Sequence, residues 1–308
     1  MISIIIPAFN EAKYIKNTLS ELKRCFGDYY DVEVIVVNNG SQDDTSGYAR
    51  EFSWVKVIDL PSPVTVAEAR NIGVAYSKGE CLSFVDADIL VSERWWLTLL
   101  DYHNNYFDRF VISGFKVGIS KAPSFIELNW FACFKQYSSN YINSGNLICS
   151  KKVYDFVNGF DIKLRTGEDV DFCQRALSHG VEVCPNENFK VYHEGYPKTI
   201  KSFFLREKWH GIGDLQSLAK FFRSKVAIVS FAVVALTAIM LISLMLKSYI
   251  LLIPSLLLIF AANAYSIFTR FKITSSTQLL ICFFLNYVYF IARFSSIFEV
   301  FTRSNRNR

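Results

Sequence analysis

Phe84-Val85-Asp86-Ala87-Asp88-Ile89 reads FVDADI, an apolar run broken by two carboxylates one residue apart. Side chains at i and i+2 of an extended segment point the same way. Asp86 and Asp88 are therefore expected to repel each other unless a cation lies near them. The run that leads into them, ECLSFVD, reads as a buried strand. Strands of the same kind precede it: Ser3–Ile6, closed by Pro7, then VEVIVV, then Trp54–Ile58. Between them lie segments of helical period. Glu11 to about Phe26 carries Ile15, Leu19, Leu22 and Phe26 on one side, and Asp43–Phe52 and Val66–Ser77 follow. Strands alternating with helices predict an α/β fold, a mostly parallel sheet with helices on both faces. Such sheets bind ligands beyond the carboxyl ends of their strands. The loops PAFNE, NNGSQDD and DAD all follow strands, so they are expected to meet at one edge.

Downstream, from Arg109 to His193, the pattern is less regular. YINSGNLICS, GFDIKLRTGEDVDFCQRALSHG and FKVYHEG stand out. The second places Glu168, Asp169 and Asp171 at the start of a helix, where the helix dipole favours negative charge. A dinucleotide oxidoreductase is excluded, because PAFNEA stands where G-x-G-x-x-G would follow the first strand.

The 308 residues are 51% apolar with a net charge of +5, and both are unevenly distributed. Charged and apolar residues mix up to about Lys220; beyond Lys225 the chain is almost purely apolar. Val226–Leu246 and Ser248–Thr269 carry no charge over 21 and 22 positions, and about 20 cross a bilayer as a helix. Arg223 and Lys225 flank one end of this pair and Arg270 and Lys272 the other, so both flanks are expected in the cytoplasm, with Lys247 in the external turn. Residues 277–301 are apolar up to Arg293, and Asn286, Tyr289, Arg293 and Ser296 fall on one stripe. They read as an amphipathic helix at the membrane surface, with a third crossing as the alternative and the terminal RSNRNR cytoplasmic in the first case. The basic residues Lys198, Lys201, Arg206, Lys208, Lys220, Arg223 and Lys225 suit an anionic membrane surface. No nucleic-acid motif accompanies them. The seven cysteines form no C-x-x-C pair and read as reduced, mostly buried thiols. The N-terminus enters a strand at once, without the basic and cleavage regions of a signal peptide.

SIIIPAFNEAKYI, VIVVNNGSQDDT, ARNIGVAYSKGECLSFVDADI and GFDIKLRTGEDVDFCQRALSHG stand in the order of a known family. Over roughly its first two-thirds the chain resembles the family 2 glycosyltransferases of GT-A fold. The resemblance implies a catalytic domain over residues 1–222, with a nucleotide-binding half to about 118 and an acceptor half from 119, and a membrane region over 223–308. It implies inverting transfer of a sugar from a nucleoside-diphosphate sugar, with Mg²⁺ or Mn²⁺ as cofactor. Carboxylate oxygens suit those cations. Asp88 would be the direct ligand, Asp86 would face the ribose or a metal-bound water, and His193 would complete the shell or touch the diphosphate. Asp169 would be the base that takes the acceptor proton, with Glu168 beside it shaping the acceptor side.

Pro7, Ala8, Phe9, Asn10 and Glu11 would hold the nucleoside. Asn38 stands where the family more often has Asp; its amide both accepts and donates, which leaves the base open. Asp43 and Thr45 fit the family and would also cap the next helix. Arg70 and Asn71 would lie on the helix leading into the DAD strand, with the cationic Arg70 as phosphate or active-site support. Trp209, in REKWHG, faintly resembles the Q-x-x-R-W element of processive synthases. Leu205 and Lys208 replace its Gln and Arg, so an interfacial anchor is the competing role. The expected acceptor is a lipid-linked saccharide or glycolipid at the cytoplasmic face of the membrane. The rivals are a sugar transferase to polyprenyl phosphate and a non-catalytic binder of sugar nucleotides.

Overall fold

The computed structural model describes residues 1–106, 109–135, 141–215 and 217–304, with side chains to residue 299. In chain order the elements are β1 (Ile2–Ala8), α1 (Ile15–Phe26), β2 (Val32–Asn38), α2 (Thr45–Arg50), β3 (Val55–Asp59), α3 (Val66–Ala75), β4 (Cys81–Val85), β5 (Ile89–Leu90), α4 (Glu93–Asn105) and β6 (Val111–Gly114). There follow α5 (Phe125–Asn129), β7 (Asn146–Ser150), α6 (Lys151–Phe156), α7 (Glu168–Ser178), β8 (Glu182–Pro185) and β9 (Tyr192–His193). Five helices close the chain: α8 (Ile200–Asp214), α9 (Leu218–Arg223), α10 (Lys225–Met245), α11 (Tyr249–Arg270) and α12 (Ser276–Ser304).

The chain divides into two compact units. The first holds Met1–Ala122 and Tyr137–Tyr196; the second holds Pro123–Gln136 and Pro197–Arg308. The boundary thus falls near residue 196, earlier than the composition change at 222 suggests, because α8 packs chiefly on α12.

In the first unit a sheet runs in the order β3-β2-β1-β4-β7-β6-β8. The four strands from β3 to β4 are parallel, as the alternation predicts. β7 runs against both β4 and β6, and β8 pairs parallel to β6. Alternate side chains of β1 serve opposite layers. Ile2, Ile4 and Ile6 pack with Ile15 and Leu19 of α1 and Trp95 and Leu99 of α4. Ile5 packs with Ala67 and Val74 of α3 and with Phe172 of α7. Each such side chain, taken fully from water, contributes about 1.5–3 kcal/mol. This two-sided burial is why β1 reads as an unbroken apolar run. Pairing of β1 with β4 ends at Ile5, and Pro7, which has no N–H to give, lies past that point.

Two local expectations change. The first helix begins at Ile15 and not at Glu11, because backbone N–H groups of the intervening turn are drawn across to the next loop. Glu11 N–H donates to Thr45 Oγ1 at 2.8 Å and Ala12 N–H to Asp43 Oδ2 at 3.1 Å. β4 also stops at Val85, and Asp86–Asp88 form a turn in which Ile89 N–H donates to the Asp86 carbonyl at 3.2 Å. Asp86 and Asp88 are therefore not successive same-face residues of one strand; each takes its own partner.

In the second unit, α10, α11 and residues Ser276–Glu299 of α12 are long and apolar enough to cross a membrane. The stripe of α12 expected to face water is turned inward. Asn286 donates to Asn263 at 3.0 Å and accepts from Ser266 at 3.1 Å. Arg293 pairs with Glu207 at 3.1 Å and Asp214 at 3.2 Å of α8. The outward side of α12 is apolar, with Leu280, Phe284 and Phe298 exposed. Acids on α8 neutralise the stripe more cheaply than membrane insertion of an unpaired Arg would allow. The last residues of RSNRNR lie outside the described residues. Five of the seven cysteines are buried and all are free thiols, as expected.

Candidate active site

The three predicted loops meet at the carboxyl edge of β1, β2 and β4. Asn10 adopts φ 58°, a left-handed turn that Asn tolerates. Its N–H donates to Ser41 Oγ at 3.0 Å and its Oδ1 accepts from Gln42 N–H at 2.8 Å. Gly40 permits the next turn; a Cβ there would lie 2.8 Å from the Pro63 nitrogen. Asp43 accepts from Thr45 and Ala12, so both residues fasten the PAFNE loop, while Asp44 takes the N-cap position of α2. Phe9 is half exposed at this edge and Pro7 is buried in β1. Asn38 is buried, its Nδ2 donating to Asp59 at 2.9 Å and its Oδ1 accepting from Ser41 N–H at 3.3 Å. Hydrogen bonds from Ser46, Arg50 and Asn38 hold the Asp59 carboxyl down at about 2.

Arg70, on α3, is 2% exposed and joins the two acidic motifs. Nη2 meets Asp86 Oδ1 at 2.7 Å and Nη1 meets Glu168 Oε1 at 2.8 Å. Its terminal nitrogens are thus engaged by one carboxylate of each motif. Asn71 is structural too: it donates to the Phe160 carbonyl at 2.8 Å and accepts from Phe160 N–H at 3.1 Å.

That leaves one carboxylate in each motif. Asp88 Oδ2 lies 3.2 Å from His193 Nε2. Pairing of β5 with β9 sets Ile89 opposite His193 and so brings the imidazole to the turn. Gly195 lets the next loop approach: a Cβ there would lie 1.8 Å from Asp88 Oδ2. Asp169 is 8% exposed at the start of α7. Burial, and then the adjacent Glu168, push its carboxyl up to about 6. Glu168 is turned inward by Arg70 and by Ser144, whose hydroxyl donates at 3.0 Å. Asn143 donates to Asp169 Oδ2 at 3.2 Å. Asn143, Ser144 and Gly145 are the residues that sequence reasoning did not assign; the polar run in YINSGNLICS was their only signal. Trp209 lies in the second unit, half exposed on α8, its ring 4.9 Å from that of His210.

Whether these residues fit a divalent cation turns on charge. Glu11 is pushed up to about 8, first by burial and then by Asp88, Asp86 and Asp43. The edge therefore gathers more negative charge than it can ionise unaided, and Nδ1 of His193 is buried without a hydrogen-bond partner. Among the described residues no three His, Cys, Asp or Glu side chains form a metal cluster. The donor set suits a hard cation held by one or two protein groups.

A family model described as glycosyl transferase family 2 matches residues 3–157. Glycosyltransferase AglE of Haloferax volcanii is 27% identical over 199 residues, 58% of this chain and 62% of that protein. Glycosyltransferase GlyG of Streptococcus pneumoniae is 29% identical over 103 residues, 32% of this chain and 34% of its own length. The chain thus spans less than two thirds of these curated relatives. Among solved structures, the mannosyltransferase PcManGT of Pyrobaculum calidifontis, in complex with GDP-Man and Mn²⁺, is similar at a TM-score of 0.59 and 16% identity. The likeness covers 97% of this chain and 87% of that one. S. aureus TarS 1–349 is similar at 0.51 and 18% identity, over 71% of this chain and 68% of that one. These likenesses show the fold: GT-A, with apolar helices after it.

Proposed function

The chain belongs to glycosyl transferase family 2, and on that premise we propose an inverting transferase that moves a sugar from a nucleoside diphosphate to an acceptor hydroxyl at the cytoplasmic face of a membrane. The observation that carries this reading is the sharing of Arg70. It holds Asp86 and Glu168, which supports Asp88 as the donor-side and Asp169 as the acceptor-side carboxylate.

The loops around Asn10, Asn38 and Asp43 bind the nucleoside, and Asp88 and His193 would hold the divalent cation. A Mg²⁺ or Mn²⁺ ion there supplies Lewis-acid neutralisation of the leaving diphosphate. Asp169 accepts the proton of the acceptor hydroxyl as its oxygen attacks the anomeric carbon from the face opposite the diphosphate. A carboxyl raised to about 6 is ionised at neutral pH and is still a stronger base than an ordinary aspartate. Glu168, held by Arg70 and Ser144, stands beside the base on the acceptor side.

The acceptor is a lipid-linked saccharide or glycolipid, consistent with the apolar helices and the basic residues beside them. α10 and α11 cross the membrane and α12 lies along its cytoplasmic face. In support, α12 is tied near its start to Asn129 through Cys282 and near its end to the charged side of α8 through Arg293 and Glu299. A polyprenyl-phosphate acceptor would arrive ionised and would need no Asp169.

The test is a screen of the purified full chain for hydrolysis of UDP-, GDP-, CDP- and dTDP-sugars with and without Mn²⁺. Metal-dependent release of one nucleotide is expected; no turnover of any donor in membranes containing lipid-linked saccharides would reject the reading. Topology is checked by reporters at the C-terminus and at Lys247, expected inside and outside respectively. A C-terminus found outside would make α12 a third crossing.

A further inference from the structure

The turn Asn143–Asn146 has no part in the chemistry so far, yet it touches both acidic motifs. The Gly145 carbonyl accepts from Asp86 N–H at 3.3 Å, and a Cβ on Gly145 would lie 2.3 Å from Asp86 Oδ2. Ser144 Oγ donates to Glu168. Asn143 Nδ2 donates to Asp169 Oδ2, and Asn143 Oδ1 accepts from Gly145 N–H at 2.9 Å. The turn is held from behind by Asn146, which is fully buried. Asn146 accepts from Trp95 Nε1 at 2.8 Å and donates to the carbonyls of Phe115 and Phe189.

The amide of Asn143 has one possible orientation. Gly145 N–H can only donate, so it faces the oxygen; an ionised carboxylate can only accept, so it faces the nitrogen. Oδ1 of Asp169 receives Val170 N–H at 2.8 Å. The backbone N–H of Ser144 acts on the same carboxylate, so the turn reaches Asp169 through two successive residues.

We propose that Asn143 is a positioning residue for the base. Its amide holds Oδ2 of Asp169 in the ionised form, fixes which lone pair faces the acceptor, and does so from a turn that also sets Asp86 on the donor side. This rests on the reading of Asp169 as base. The other groups that act on Asp169 are Glu168 beside it and Arg70 from α3, with Tyr141 and Cys173 close enough to feel its charge. Losing the amide donor removes a bond made to the charged form, which raises the carboxyl; replacing it with a second carboxylate raises it further.

The test uses the full chain labelled with ¹³C-carboxyl aspartate, the Asp169 signal being assigned by its loss in Asp169→Asn. In Asn143→Ala the titration of Asp169 is expected to move to higher pH. In Asn143→Asp, which preserves shape, it is expected to move by about one unit or more. The acid limb of donor hydrolysis, in which water replaces the acceptor hydroxyl, should move in each variant to the raised pH at which that variant's Asp169 titrates. A titration unmoved in Asn143→Asp while Asp169→Asn is inactive overturns the role of Asn143 alone. Hydrolysis and transfer at wild-type rates in Asp169→Asn overturn the reading of the base, and this inference with it. An activity loss equal at every pH would mark Asn143 as merely structural and also reject it.

Discussion

Asp86–Asp88 and Glu168–Asp169 each contribute one carboxylate to Arg70 and keep one apart from it. The retained groups then meet different company. Asp88 faces an imidazole and lies within reach of the charges of Glu11 and Asp86. Asp169 faces a neutral amide and is nine-tenths buried. On the proposed reading, the crowded acidic edge would take a cation, and the buried carboxylate beside Glu168 would take a proton.

The largest test of this contrast is on the crowded side. Asp88→Ala is expected to abolish transfer and to remove the cation dependence of nucleotide binding, because Asp88 would hold the proposed cation. Isothermal titration of the nucleotide with and without Mn²⁺ reads this directly, and full wild-type activity in chelator would contradict it.

On the quiet side, Asp169→Asn keeps size and hydrogen-bonding capacity but takes no proton. Transfer should fall by about 10²–10⁴-fold, while nucleotide affinity stays near native. If both variants lose affinity alike, the division of labour is wrong.

Arg70→Met strikes both motifs together. Removing one partner of a buried ion pair costs about 3–5 kcal/mol; here two carboxylates lose their cation at once. The denaturation midpoint of the full chain in detergent should drop accordingly, and Glu168→Gln should cost less than Arg70→Met. Equal, small losses would show that Arg70 is dispensable to the tie.

The smallest effect is the pH profile. The base must be ionised, so donor turnover should decline as pH falls through about 6. An acid limb near the ordinary aspartate value of 3.8 would mean that burial does not govern this group in solution.

Much of this was legible beforehand. The alternation of apolar runs and helical periods showed the parallel half of the sheet, because β1, β2 and β4 are buried on both faces and punctuated by polar loops. It also brought PAFNE, NNGSQDD and DAD to one edge, since parallel strands leave their carboxyl ends together. The uncharged runs that became α10 and α11 needed only length and composition.

What the sequence by itself could not determine was the pairing of charges. Arg70 meets acids 16 and 98 residues further on. Arg293 meets acids 79 and 86 residues before it. Local periodicity carries no information about such partners, because a guanidinium looks equally solvated on any helix until another segment covers it. Thus Arg70 became the tie between two motifs, and the polar stripe of α12 became its seam with α11 and α8. The same holds for Asn143: its amide acquires a role only when β7 brings the preceding turn against the start of α7. Pattern and punctuation determined where the strands end; tertiary structure alone decided which carboxylate of each motif Arg70 engages.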